Sequence, residues 1–116
     1  MDPLQLLVDK NTGALAPHYA AHNGHLKFLR WLKNYIDKLQ SIGLPKDKVN
    51  MDVRDAYDCT LSHYAVRSGH LPVVMYNTDI LKIPLNSFDK FGYNCLDYSI
   101  MYKKLYCFIY IYFCQG

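Results

Sequence analysis

The sequence predicts an all-α fold, a file of helix–turn–helix units, on three observations. A single layout of small, polar and apolar positions recurs at residues 13–26, 58–71 and 92–105. After the first of these stretches apolar residues return every three or four positions from Leu26 to Leu39, the spacing of one helix face. Glycines stand singly where a helix has to stop, instead of clustering as a phosphate-binding loop requires. With 116 residues, 51% hydrophobic and 20% charged, and a formal charge of +3, the chain is one folded domain's worth of protein. That argues against a multidomain enzyme, a disordered tail and a strongly basic nucleic-acid binder. All ten acidic residues are Asp, and eight of the seventeen aromatic residues fall between Tyr93 and Phe113.

Residues 1–9, with Leu4, Leu6, Leu7 and Val8, read as a partial N-terminal cap, and a first unit occupies 10–50. Its first helix holds Ala20 and Ala21, small enough for close packing by a neighbour, and ends at Gly24, suited to a left-handed turn. Leu15-Ala16-Pro17 leaves that helix without a polar N-cap. The second helix is long: Leu26, Leu29, Leu32, Tyr35, Ile36 and Leu39 form an apolar face, with Lys27, Arg30, Lys33 and Lys38 on the solvated side. An insert of 12 residues lies between Lys33 and Asn50, extending this helix and adding a Gly43-Leu44-Pro45 loop.

The second unit, 51–84, repeats the layout with Thr60 as N-cap, Ala65-Val66 as the small pair, and Gly69 as the stop. Pro72 falls in the first turn of its second helix, where a missing N–H costs nothing. The third unit, 85–116, starts its helix at Asn94 and diverges at Asp97 and at Lys103-Lys104. Its tail helix, residues 105–114, is about 15 Å long as ten residues of helix, whereas a membrane span takes about 20 residues. Aligned on Phe28, Leu29, Trp31 and Leu32, it is expected to pack through Cys107, Phe108, Tyr110 and Ile111, leaving Ile109 at a solvent position.

At these residues the chain resembles the ankyrin-repeat family, whose pattern is G-x-T-P-L-H-x-A-A-x-x-G-H. The first unit matches at Gly13, His18, Ala20, Ala21, Gly24 and His25, the second at Thr60, His63, Ala65, Gly69 and His70. The preceding turn of the family, V-N-x-x-D-x-x-G, lines up with Met51–Asp58 and Leu85–Gly92. The resemblance implies a solenoid of stacked helix pairs with β-turn fingers, and a non-catalytic adaptor or scaffold role in protein–protein interaction. It also implies that His18 and His63 are buried staples bonding backbone groups of neighbouring turns. Two further roles fit the same pattern: a regulatory or substrate-recruiting segment of a larger enzyme, and a self-associating module pairing through the apolar C-terminal helix.

Other chemistry is weakly supported. His18, His22 and His25 are spaced four and three apart, yet no acidic partner follows the H-E-x-x-H arrangement, so no metal or other cofactor is expected. Cys59 and His63 are the nearest nucleophile–base pair, with Cys59 placed on the exposed arm of the turn. Cys59, Cys95, Cys107 and Cys114 contain no C-x-x-C pair, so reduced thiols are expected. Met1–Lys10 has neither a basic start nor a sustained apolar run, which points to the cytoplasm or nucleus.

The family's recognition positions carry over to Asn11, Thr12, Ala14, His22 and Asn23 in the first unit. In the second and third they carry over to Arg54, Ala56, Tyr57, Cys59, Arg67 and Ser68, and to Phe88, Lys90, Phe91, Tyr93, Met101 and Tyr102. Arginine and aromatic side chains are what binding hot spots favour. The strip formed by Arg54, Tyr57, Arg67, Phe88, Lys90, Phe91, Tyr93, Met101 and Tyr102 is therefore expected to take an acidic, partly apolar protein or peptide, with no nucleic acid and no membrane span involved. Tyr19, Tyr64 and Tyr98, each one residue after His18, His63 and Asp97, read as part of the repeat frame without a functional role.

Overall fold

The computed structural model describes residues 16–43 and 53–115. The N-terminal cap, the finger positions Asn11, Thr12 and Ala14, and the insert loop beyond Gly43 lie outside the described residues. The described residues are all-helical: α1 (Ala16–His22), α2 (Leu26–Ser41), α3 (Leu61–Ser68), α4 (Leu71–Asp79), α5 (Cys95–Met101) and α6 (Leu105–Gln115), with no strand among them. Helices α1 and α2, α3 and α4, and α5 and α6 form hairpins. The hairpins lie side by side, α3 between α1 and α5, and α4 between α2 and α6.

Local chemistry accounts for each helix end. Thr60 accepts the His63 N–H while the His63 ring accepts the Thr60 N–H, a reciprocal cap that starts α3. Asn94 and Asp97 exchange the same two bonds at the start of α5. Asp97 thus keeps the local half of what His63 does. Gly24 and Gly69 end the first helices of their hairpins with φ of 73° and 78°, and Lys103 takes that station after α5 with φ of 57°. A left-handed lysine explains why the third unit looks divergent in sequence while its hairpin is retained.

Small side chains let the hairpins approach. Ala21, Ala65 and Val66 are fully buried, and Leu29, Leu32, Ile36, Leu61, Val73, Val74, Cys95 and Ile111 complete a continuous core. The close approach extends to the turns: a Cβ on Gly24 would stand 2.7 Å from His70 Nδ1 of the next hairpin.

Three packing expectations are corrected. Phe28 and Trp31 do not pack inward but are 37% and 59% exposed, because they sit roughly a third of a turn off the Leu29–Leu32–Ile36 stripe. Tyr35, placed on the apolar face, is 40% exposed for the same reason, and the three rings form a ladder with Trp31 and Tyr35 stacked at 5.6 Å. Cys59 is buried rather than exposed, as described below. In α6, Cys107 and Ile111 are buried, Phe108 and Tyr110 half-buried, and Ile109 exposed.

Candidate functional site

Two equivalent turns precede α3 and α5, and each is folded around one aspartate. The Asp55 carboxylate accepts the N–H groups of Tyr57 and Cys59 through Oδ1, and the Tyr64 hydroxyl donates a short bond to Oδ2. Asp89 repeats the arrangement with the N–H groups of Phe91 and Tyr93 and the Tyr98 hydroxyl at 2.5 Å. Carboxylates that gather backbone N–H donors hold a tight turn rigid. Burial pushes the Asp89 carboxyl up, but its hydrogen bonds outweigh that and leave its pKa below the ordinary value. Burial and the bonded carboxylate drive the Tyr64 and Tyr98 hydroxyls far above the usual range, so both remain donors.

Turn and helix are tied to the next hairpin by histidine. With Nδ1 accepting from Thr60, His63 carries its proton on Nε2, which donates to the Tyr93 carbonyl at 3.1 Å. His18 Nε2 lies 3.1 Å from the Cys59 carbonyl, the same link one hairpin earlier. Desolvation lowers the pKa of both rings. The N–H of Lys90 donates to the Tyr57 carbonyl at 2.8 Å and joins the two turns directly.

The nine residues expected to bind a partner are all exposed, but they do not form one uniform strip. Tyr57 and Phe91 stack across the two turns at 6.2 Å between centroids. With Arg67 they stand at a cleft of about 240 Å³ that Asp55, Asp89, Cys59, His63, Tyr64 and Tyr98 also line. Arg67 lies 5.5 Å over the Tyr102 ring, which brings α5 to the same edge. Arg54 is engaged in its own turn instead, 3.6 Å from the Asp58 carboxylate and 3.5 Å from the Phe88 carbonyl. Arg54, Phe88, Lys90, Tyr93, Met101 and Tyr102 do not line the cleft.

Cys59 belongs to the floor of this cleft, 8% exposed, with its thiol 3.3 Å from the Tyr98 hydroxyl. Its position follows from the Asp55 carboxylate, which draws the Cys59 N–H inward. Burial pushes the thiol up to about 11, and both nitrogens of His63 are occupied, so the pair is not set up as nucleophile and base. The three early histidines diverge: His18 is buried, His22 bonds Ser68 at 2.6 Å, and His25 is exposed ahead of α2. No cluster of three metal-ligating side chains occurs among the described residues.

The turn pattern places Asp55 and Asp89 at its aspartate position without giving them a role, and Tyr64 and Tyr98 read as repeat frame alone. The signal was there, since Asp55 and Tyr64, like Asp89 and Tyr98, stand nine residues apart. Asp58, left-handed at φ of 63°, occupies the station that Gly92 holds at 86°.

No family model matches the chain, and no curated protein matches it in sequence. Among solved structures it is similar to a chain in the crystal structure of the yeast ribosomal protein Rps3 in complex with its chaperone Yar1. The TM-score is 0.76 and the identity 21%, covering 93% of this chain and 73% of that one. Among the described residues no helix is long and apolar enough to cross a membrane. The shared feature is the fold.

Proposed function

We propose that this chain is a non-catalytic protein-binding module of the ankyrin-repeat type, a short solenoid whose turn fingers and first helices receive a protein or peptide. The observation that carries the reading is the exposed Tyr57–Phe91 stack on two turns that aspartate, tyrosine and histidine hold rigid. Stacked rings fixed in advance lose little entropy on binding, which is how anchor residues contribute affinity. Support also comes from the recurrence of one hydrogen-bond scheme at His18 and His63, and at Asp55 and Asp89, since a stack is built from such equivalent units. The fold neighbour was solved as part of a two-protein complex, which agrees with a surface suited to proteins.

The partner places apolar side chains against Tyr57, Phe91 and Tyr102, and acidic ones toward two exposed cations, Arg67 at the cleft and Lys90 on the adjoining turn. The four free thiols suit a reducing compartment, the cytoplasm or nucleus. A pull-down tests the reading: Tyr57→Ala, Phe91→Ala and Tyr102→Ala should each reduce prey recovered by wild-type chain at least fivefold, as expected when about 1 kcal/mol or more of hot-spot energy is lost. Equal recovery with all three variants would place the interface elsewhere.

A further inference from the structure

We propose that a second copy of this chain covers α6, in a dimer with two-fold symmetry. Helix α6 contains no charged residue in its eleven positions. Cys107 and Ile111 fix its inner face, and the Tyr110 hydroxyl reaches Asp79 of α4 at 3.5 Å. The opposite face is left uncovered: Leu105 is 64% exposed, Tyr106 75%, Ile109 42%, Tyr112 57% and Phe113 76%. At roughly 200 Å² for a large side chain this face exposes on the order of 600 Å². That is about three quarters of the ~800 Å² that each partner contributes to a standard interface.

The pattern on this face is its own complement. Tyr106 and Tyr112 lie three residues to either side of Ile109, and Leu105 and Phe113 lie four to either side. Two such helices laid antiparallel about Ile109 therefore set Leu105 against Phe113, Tyr106 against Tyr112, and Ile109 against itself. An isologous contact demands this symmetry, because every residue meets its mate through the same axis. Charge selects the direction. Lys103 and Lys104 precede α6 at one end only, so antiparallel pairing holds the two basic pairs about 16 Å apart, beyond the ~8 Å screening length. Parallel pairing would bring them together. The free aromatic ladder of α2 offers no such self-match, since that helix carries Lys27, Arg30, Lys33 and Lys38 against one acidic residue, Asp37.

Sedimentation equilibrium on the whole chain tests the proposal. Wild type should approach about 27 kDa at high micromolar concentration, twice its 13.5 kDa. A variant with Ile109→Lys and Tyr112→Lys should stay at 13.5 kDa with an unchanged far-ultraviolet helical signal. A second measurement does not depend on that variant folding. With Cys114→Ser, an added Ile109→Cys should cross-link to its mate under mild oxidation, whereas Leu105→Cys, about 12 Å from its mate in this register, should not. A wild-type monomer at every concentration, a mass growing past two copies, or equal cross-linking at 105 and 109 would overturn the two-fold dimer.

Discussion

Gly24 answers to two demands at once. Its φ of 73° lies in the left-handed region that costs an L-residue about 1–2 kcal/mol, and its α-carbon faces the His70 ring of the next hairpin. Gly69 has a similar φ of 78°, yet a Cβ there would meet only the Lys104 stem, which can swing aside. Gly24→Ala is therefore expected to destabilise the chain by about 2 kcal/mol or more, and Gly69→Ala by about 1. Adding His70→Ala should recover the steric part at Gly24, a coupling of about 0.5–1 kcal/mol in a double-mutant cycle read by denaturant unfolding. Purely additive effects would mean that only the backbone angle matters. The glycines were legible in the sequence as helix stops, but the reason one should be less replaceable than the other was not, because it lies in a residue 46 positions away.

His63 shows how an element end becomes a joint. It caps α3 through Nδ1 and binds the following turn through Nε2, a division that needs the neutral ring. Desolvation lowers the pKa of His63 and of His18 below 6.5, so the folded chain holds fewer protons than the unfolded one as pH falls through that value. The stabilisation is complete above about pH 6.5 and is lost below it. Asp89, with its pKa lowered, adds a separate loss that begins only below about 3.8. Thermal melts should accordingly give a melting temperature that is flat from pH 8 to 7 and falls by several degrees by pH 5. A melting temperature unchanged between pH 7 and 5 would mean that neither ring is held neutral by the fold. Asp97, lacking the second nitrogen, caps α5 and, among the described residues, reaches no further turn. The capping positions Thr60 and Asn94 were readable from residue type alone. Phe28 and Trp31 were misassigned because alignment to a second helix transfers a position, whereas burial depends on which flank a neighbour covers.

Across the molecule, the hairpins present two unlike surfaces. On one, aspartate-centred turns carry Tyr57 and Phe91 above a cleft with Arg67 at its edge. On the other, α6 shows an uncharged stripe that, among the described residues, no helix covers. The all-helical class was legible in the sequence, because apolar periodicity, capping residues and helix-stopping glycines mark helices and their ends locally. The cleft was legible only in part: the exposed rings were marked by their place in the turn, while the aspartates beneath them look like ordinary turn residues until the Tyr64 and Tyr98 hydroxyls are seen to reach them. Site-specific photocross-linking tests the proposed protein-binding surface at the turn fingers most directly. A benzophenone side chain at Phe91 should trap a partner of defined mass, and the same probe at Trp31, on the exposed ladder of α2, should trap none. Trapping at Trp31 with none at Phe91 would contradict the account.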